Sequence, residues 1–422
     1  MSREGIIELA CLYGPLLAAT LLACWVRPDK RLGTGLLFSS LWTAALLPWI
    51  DALSRQAGFW NYRTSSVHLG GMPLSLYLGW VIAWGVVAPL LGKAMGGRHW
   101  MAAALLIMMD LRVMPELQPV LELGPNWWIA EIFMVLLLLL PSLWMAKWTA
   151  AGEMTGLRCA MLVPAFGGMV LGLPLFIEGG GIAGVHALWQ GYGEAPRFLF
   201  TGGVVLASIP GLTAVRDLAL SGGGTPVPLD PPRRLVTHGI YAFVRNPMQI
   251  SMTSLLVIEA AFLRSSWPLA MGVMGVIYSE GMARWAENQD MADRFGGAWD
   301  RYRCSVRSWF PRWLPQVAEP CELWIAADCS ACREVGGWFD RRNPVGLHRC
   351  SAAGWTGRPL ERVMWRDPAS GRRESGVAAI AMALQHVNLA WACLGWVAGL
   401  PGISHSLQMC FDAAGAGRRP AG

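Results

Sequence analysis

The sequence predicts a polytopic α-helical membrane protein that ends in a small α/β domain, and three observations carry that prediction. Of its 422 residues, 54% are apolar and only 15% charged, with a mean hydropathy of +0.39; soluble chains carry about 25% charged residues. Apolar runs of the length that crosses a bilayer, about 20 residues, recur from residue 5 onward. After Trp313 the composition changes: residues 314–422 hold 20 charged side chains in 109, against 26 in the first 232. This composition excludes a disordered chain, which needs few apolar residues and a high net charge. The net charge of +6 is too small a bias to suggest nucleic acid.

Spans are expected at 5–26, 35–53, 73–95, 99–123, 127–148, 157–176 and 196–219. A shorter pair at 248–263 and 266–283 brings the total to about nine membrane helices. That pair is broken at Arg264-Ser265-Ser266 and has barely the length to cross, as in a hairpin that only partly spans. The 23 Trp suit membrane interfaces, and the 49 Gly and 27 Pro are compatible with membrane helices. The first run does not read as a signal peptide: it is long, one Arg precedes it, and no small-residue cleavage site follows. Arg27, Lys30 and Arg31, Lys93 and Arg98, and Lys147 and Arg158 all fall on one side if the spans alternate. By the positive-inside rule that side is the cytoplasm of a bacterial-type inner membrane, and the C-terminal domain lies there too. The run from His386 to Leu400, interrupted by Gly395 and closed by Gly399 and Pro401, reads as a buried helix. Three domains are expected: 1–150, 151–313 and 314–422, the last boundary at the Pro- and Trp-rich stretch Ser308 to Pro315.

Chemistry concentrates in the loop after residue 219. Gly222-Gly223-Gly224-Thr225-Pro226 leads into Arg233-Arg234-Leu235-Val236-Thr237-His238-Gly239-Ile240-Tyr241, then Arg245-Asn246-Pro247-Met248, which opens a helix. Pro247 fits its first turn, where a missing N–H costs nothing. Glu287, Phe295-Gly296, Tyr302, Trp309 and Pro311 follow. Residues 233–313 hold 10 basic and 6 acidic residues, whereas 1–232 balances at 13 and 13. Taken singly, an Arg at a helix end is usually a snorkelling anchor and an interfacial Glu is usually solvated; the combination and its spacing are what stand out.

This combination resembles the isoprenylcysteine carboxyl methyltransferase and phospholipid methyltransferase family of membrane enzymes, strongly over 222–313 and faintly back to 150. Ile240 stands where the family usually has Pro, Asn288 where it has a second Glu, and Gln249 where Tyr is common. The resemblance implies S-adenosyl-L-methionine (SAM) as methyl donor on the cytoplasmic side. His238, Gly239, Tyr241, Arg245, Asn246 and Pro247 would form one wall of its pocket and Glu287 the other. Arg245 suits the donor's carboxylate, Glu287 its cationic end, and His238 is the candidate base for a hydroxyl or amine acceptor. His238, Arg245 and Glu287 are thus the expected catalytic residues. The acceptor would be a lipophilic carboxylate, thiol or hydroxyl, isoprenoid- or lipid-linked, entering from the bilayer.

Six of the ten cysteines lie at or after Cys321. An apolar strand at 323–327 runs into Asp328-Cys329-Ser330-Ala331-Cys332 at a helix start, a thioredoxin-like arrangement. Helix-end N–H groups would favour a thiolate at Cys329, with Cys332 resolving. Zinc is the competing reading, with only His348 and Cys350 as nearby partners; no metal site is expected. The segment 321–415 resembles the DCC-type thiol-disulfide oxidoreductase family, with Ala326-Ala327 in place of its Asp-Gly. The alternative function is therefore a membrane-anchored thiol-disulfide oxidoreductase with a thiol or disulfide partner, the methyltransferase-like region serving as scaffold. Residues 1–150, with Gly58 to Tyr62 and Gly70-Gly71-Met72-Pro73, faintly resemble carotenoid-biosynthesis membrane proteins of the hydratase type, which implies an isoprenoid-like substrate. Asp110 and Glu131 lie within or near apolar runs, where a carboxylate is a functional candidate by default; interfacial placement is the alternative, and no catalytic role is assigned to either.

Overall fold

The computed structural model of the chain describes residues 3–63, 67–118, 120–227, 229–326, 330–355 and 360–413 and is mostly helical. Among the described residues, six helices are long and apolar enough to cross a membrane: Arg3–Val26, Lys30–Gln56, Leu74–Ala94, Trp127–Ala151, Thr155–Gly179 and Glu194–Gly222. Asp29 caps the second, its carboxylate accepting the Leu32 N–H at 2.8 Å. Gly152, in the left-handed region, ends the fourth.

The expected span 99–123 is divided. Helix His99–Val113 gives way at Met114–Leu117 to a tight turn around Pro115, and Leu121–Leu123 is a strand. Proline removes the N–H that the helix needs and ends it. The expected pair 248–263 and 266–283 forms helices Pro247–Leu263 and Trp267–Tyr278. The second widens by one turn at Ser279–Ala283 and runs on as Arg284–Phe295. By length and composition neither of the pair qualifies as a span.

Packing divides the chain into two compact units, 1–201 with 258–268, and 202–257 with 269–422. In the first, strand β1 (Trp60–Tyr62) pairs antiparallel with β4 (Leu121–Leu123), and β2 (His68–Leu69) with β3 (Met72–Pro73). Helices approach through small residues: a Cβ on Gly35 would lie 2.8 Å from the Ala146 carbonyl oxygen, and one on Gly85 2.6 Å from Ser40 Cα. The core there includes Trp84, Leu138, Leu139 and Leu121.

In the second unit, β5 (Cys321–Ile325) pairs parallel with β6 (Leu347–Ser351) and antiparallel with β7 (Met364–Arg366), which pairs antiparallel with β8 (Arg373–Ser375). The sheet order is β6-β5-β7-β8. Burial alternates along β5, the period of a strand with one face in a core. That core contains Leu323, Ile325, Phe339, Trp365 and Met382. Helix Leu389–Ala398 is ten residues long, with Ala392, Gly395 and Trp396 buried.

Candidate functional site

The loop that leaves helix Glu194–Gly222 closes on itself. Gly222 accepts both the Arg233 and Arg234 N–H groups, at 2.8 and 3.2 Å, and Gly223 has φ +66°. A Cβ on Gly224 would lie 2.5 Å from Pro232 Cα. The chain then enters a one-turn helix, Gly239–Ala242, whose residues are all buried. Ile240, Tyr241, Phe243 and Val244 share one apolar core with Met291, Trp299, Tyr302 and Trp396. The basic turn is therefore held by packing, and polar bonds set its register. Arg245 N–H donates to the Arg307 carbonyl (3.0 Å), Asn246 N–H to that of Ser308 (3.1 Å), and Tyr302 Oη–H to that of Tyr241 (2.9 Å).

Arg245 emerges half-buried from this turn. Its Nη2 donates to Ser308 Oγ, and its Cζ lies 6.0 Å from the Trp299 ring centroid, within cation–π range. Burial holds its guanidinium below the ordinary value; Tyr302, Glu287 and Glu280 act the other way. Burial pushes the Glu287 carboxyl up, Arg245 pulls it down, and Asp290 adds to the rise. Burial likewise raises the Tyr302 phenol. Arg245 and Glu287 therefore belong to one electrostatic site. Asn246 and Pro247 continue the backbone from Arg245 into helix Pro247–Leu263.

Among the described residues, two buried donors there, Arg245 Nε and Trp299 Nε1, have no hydrogen-bond partner, and neither does Gln249 Oε1. Orphaned buried donors are uncommon in proteins. A pair of N–H donors with an acidic group in the same field matches an amino-acid end, which brings a carboxylate and an ammonium together. The residues present thus fit the amino-acid part of SAM. An open depression lies on another face of helix Arg284–Phe295, lined by Trp285, Asn288, Gln289, Ala292 and Asp293.

His238 makes its contacts elsewhere. Its Nε2 lies 2.9 Å from Ser221 Oγ and its Nδ1 3.6 Å from Asp367 Oδ2. Burial lowers its basicity, against the pull of Asp217 and Asp367. It is thus a neutral imidazole between a hydroxyl and a carboxylate, able to take a proton, and it shares none of these partners with Arg245. Gly239 is held by Asp217: φ is +64°, and a Cβ would lie 2.1 Å from Asp217 Oδ2, which accepts the Ile240 N–H at 3.4 Å.

Asp217 is a residue that sequence reasoning missed. It is fully buried, and its Oδ1 accepts from Arg216 Nη2 (2.9 Å) and Arg372 Nη1 (3.0 Å). Arg372 also pairs with Glu374 at 2.8 Å. An Arg-Asp pair closing an apolar helix was the available signal. Arg372 itself, 155 positions away, had none.

Of the cysteine pair, Cys329 lies outside the described residues; Cys332 sits in the first turn of helix Ser330–Asp340, which follows β5. Cys321, on β5, is buried and its thiol pushed up to about 12 by desolvation, with Asp367 and Glu322 adding to it. Among the described residues no three His, Cys, Asp or Glu side chains gather as metal ligands would.

Close by in the same core, His386 Nδ1 lies 2.9 Å from the Val345 carbonyl oxygen, and Trp365 Nε1 donates to His386 Nε2 at 3.4 Å. Both bonds use the neutral ring, and burial depresses its value to about 4. A depressed histidine adds stability above its unfolded value near 6.5 and loses it as pH falls toward 4. Lowering pH from 7 to 5 should cost about 2 kcal/mol. Melting curves across that range are expected to slope downward in wild type and to flatten in His386→Gln.

Fold and site together define a helical protein of membrane type with a polar cradle just beyond its last long apolar helix. Comparison with protein-family models, with curated proteins and with solved structures finds no match for this chain.

Proposed function

We propose that the chain is a SAM-dependent methyltransferase of a bacterial-type inner membrane, similar to the isoprenylcysteine carboxyl methyltransferase and phospholipid methyltransferase family. The observation that carries this reading is the Arg245–Glu287 site, with two unpartnered buried donors at the turn where the family motif lies. When bound, SAM would supply an activated methyl group. Arg245 Nε and Trp299 Nε1 would hold its carboxylate, Glu287 would balance the cationic end, and the buried turn Gly239–Ala242 would exclude water. Alignment and dryness account for most of the rate in such a displacement. The acceptor is a lipophilic carboxylate, thiol or hydroxyl on an isoprenoid or lipid, reaching the site from the bilayer. For a hydroxyl or amine acceptor, His238 would be the candidate base. The methyltransferase portion spans 151–313, and helices Pro247–Leu263 and Trp267–Tyr278 form its partial hairpin.

Two measurements test this. Calorimetric titration of the purified chain with SAM should give saturable binding. Mass spectrometry of membrane lipids after deletion of the gene should show a species lighter by one methyl group. No binding and an unchanged lipid profile would refute the reading.

A second reading is favoured by β5, helix Ser330–Asp340 and β6, which form a parallel βαβ unit opening on Cys332. Residues 314–422 would then be a cytoplasmic thioredoxin-like domain of DCC type, with Cys329 attacking and Cys332 resolving. On this reading Cys332→Ser traps a mixed disulfide with a partner and abolishes turnover in an insulin-reduction assay. Wild-type turnover in that variant would remove the redox role.

A further inference from the structure

The proposed methyl transfer leaves Ser221 unused. This serine lies on the widened turn Leu218–Gly222 that closes helix Glu194–Gly222. Turns of this kind are rare and recur at functional sites. Its Oγ sits 2.9 Å from His238 Nε2, and Arg372 Nη1 donates to it at 3.4 Å. On the far side of the ring, Asp367 Oδ2 lies 3.6 Å from His238 Nδ1. Asp367 is fixed in its own turn: Oδ1 accepts the Ala369 N–H at 2.9 Å and Oδ2 the Ser370 hydroxyl at 2.6 Å.

The chemistry of these groups fixes where the protons are. A carboxylate only accepts and a guanidinium only donates. Asp367 therefore favours the tautomer with its proton on Nδ1, which leaves Nε2 bare. Arg372 occupies a lone pair of Ser221 Oγ, so the hydroxyl proton points at Nε2. Burial keeps the ring neutral. The result is a hydroxyl donating to a neutral imidazole whose other nitrogen faces a carboxylate, the arrangement that activates serine on unrelated folds. The Asp367 contact is longer than a hydrogen bond, and such contacts tighten when substrate binds. Ser221 is 5% exposed and the His238 side chain 17%, so the pair reaches the surface.

We propose that Ser221 is the nucleophile of an esterase site, with His238 as its base and Asp367 positioning the ring, and that the substrate is an acyl ester of a lipid. Helix Glu194–Gly222 has 29 residues and rises about 44 Å. That exceeds the hydrocarbon core of about 30 Å, so the Ser221 end reaches the headgroup layer, where the ester carbonyls of glycerolipids lie. In the first step Oγ bonds to the carbonyl carbon as its proton passes to His238 Nε2, with Arg372 offering positive charge beside the oxyanion. The carbon–oxygen bond to the alcohol then breaks, and the alcohol leaves with that proton. Water repeats the sequence on the acyl-serine, releasing the fatty acid and restoring the hydroxyl. No SAM enters any step, so either function can fail without the other.

The test uses the full chain in detergent. A rhodamine-linked fluorophosphonate, which reacts with activated serines, should label it, and peptide mapping should place the adduct on Ser221. Mixed micelles of detergent and radiolabelled phosphatidylglycerol should release fatty acid. Ser221→Ala should abolish both, and His238→Gln should slow labelling about 100-fold or more. Asp367→Asn should slow it at least about tenfold. It should also move the midpoint of the pH profile of labelling lower, because the ring then keeps only Asp217 to raise its basicity against Arg216, Arg372 and His386. An Asp367 that served the fold alone would leave that midpoint in place. The mapped adduct in wild type decides the question even where a variant folds poorly. No adduct on Ser221, or equal labelling in His238→Gln, would overturn the site. Labelling without release of fatty acid would overturn the lipid ester as its substrate.

Discussion

Replacing Asp217 with alanine is expected to lower the melting temperature of the purified protein more than any other single change proposed for this chain. Asp217 is fully buried and receives two arginines, Arg216 and Arg372, at 2.9 and 3.0 Å. Removing one partner of a buried pair leaves uncompensated charge, at a cost of about 3–5 kcal/mol. Here two guanidinium groups lose a partner, although Arg372 keeps Glu374. The Gly239 turn also loses the carboxylate that accepts the Ile240 N–H. Thermal unfolding in detergent, with limited proteolysis of residues 314–413, reads both effects. In Asp217→Asn with Arg372→Met, less charge is stranded, so the double variant should lose less than the two single losses added together. A wild-type melting curve for Asp217→Ala would show that the network contributes nothing.

Arg245→Ala is expected to reduce SAM affinity about 100-fold, near 3 kcal/mol, as the loss of a charge-assisted pair in a half-buried site does. Arg245→Lys should not restore it, because a planar fork and a point charge hold a carboxylate differently. Glu287→Gln should cost about tenfold, since Glu287 opposes only the cationic end. These losses should leave the melting temperature nearly unchanged, because the turn is held by its backbone bonds to Arg307 and Ser308 and by its apolar core. Unaltered SAM binding in Arg245→Ala would remove the assignment of this site even if the protein binds SAM.

Much of this architecture was legible in the sequence, for a local reason. A helix satisfies its own backbone bonds, so a run of about 20 apolar residues suffices to mark a span. The six long helices follow that rule. The run 99–123 did not, because Pro115 breaks the ladder and the residues beyond it pair with β1. The stretch around Arg245 was legible as a motif, since charge, glycine and proline sit together along the chain.

The sequence by itself determined the membrane character of the chain, the positions of its long helices, and which loop concentrates charge. Only the tertiary structure decided what those charges meet. Asp217 finds Arg372 across 155 residues, and His238 finds Ser221 and Asp367. Asp51 and Glu131 come to line one narrow gap among Trp60, Trp80 and Trp84. The physical reason is range: helix formation is settled within a few residues, whereas a buried charge is tolerated only beside a partner that the folded chain brings from far away.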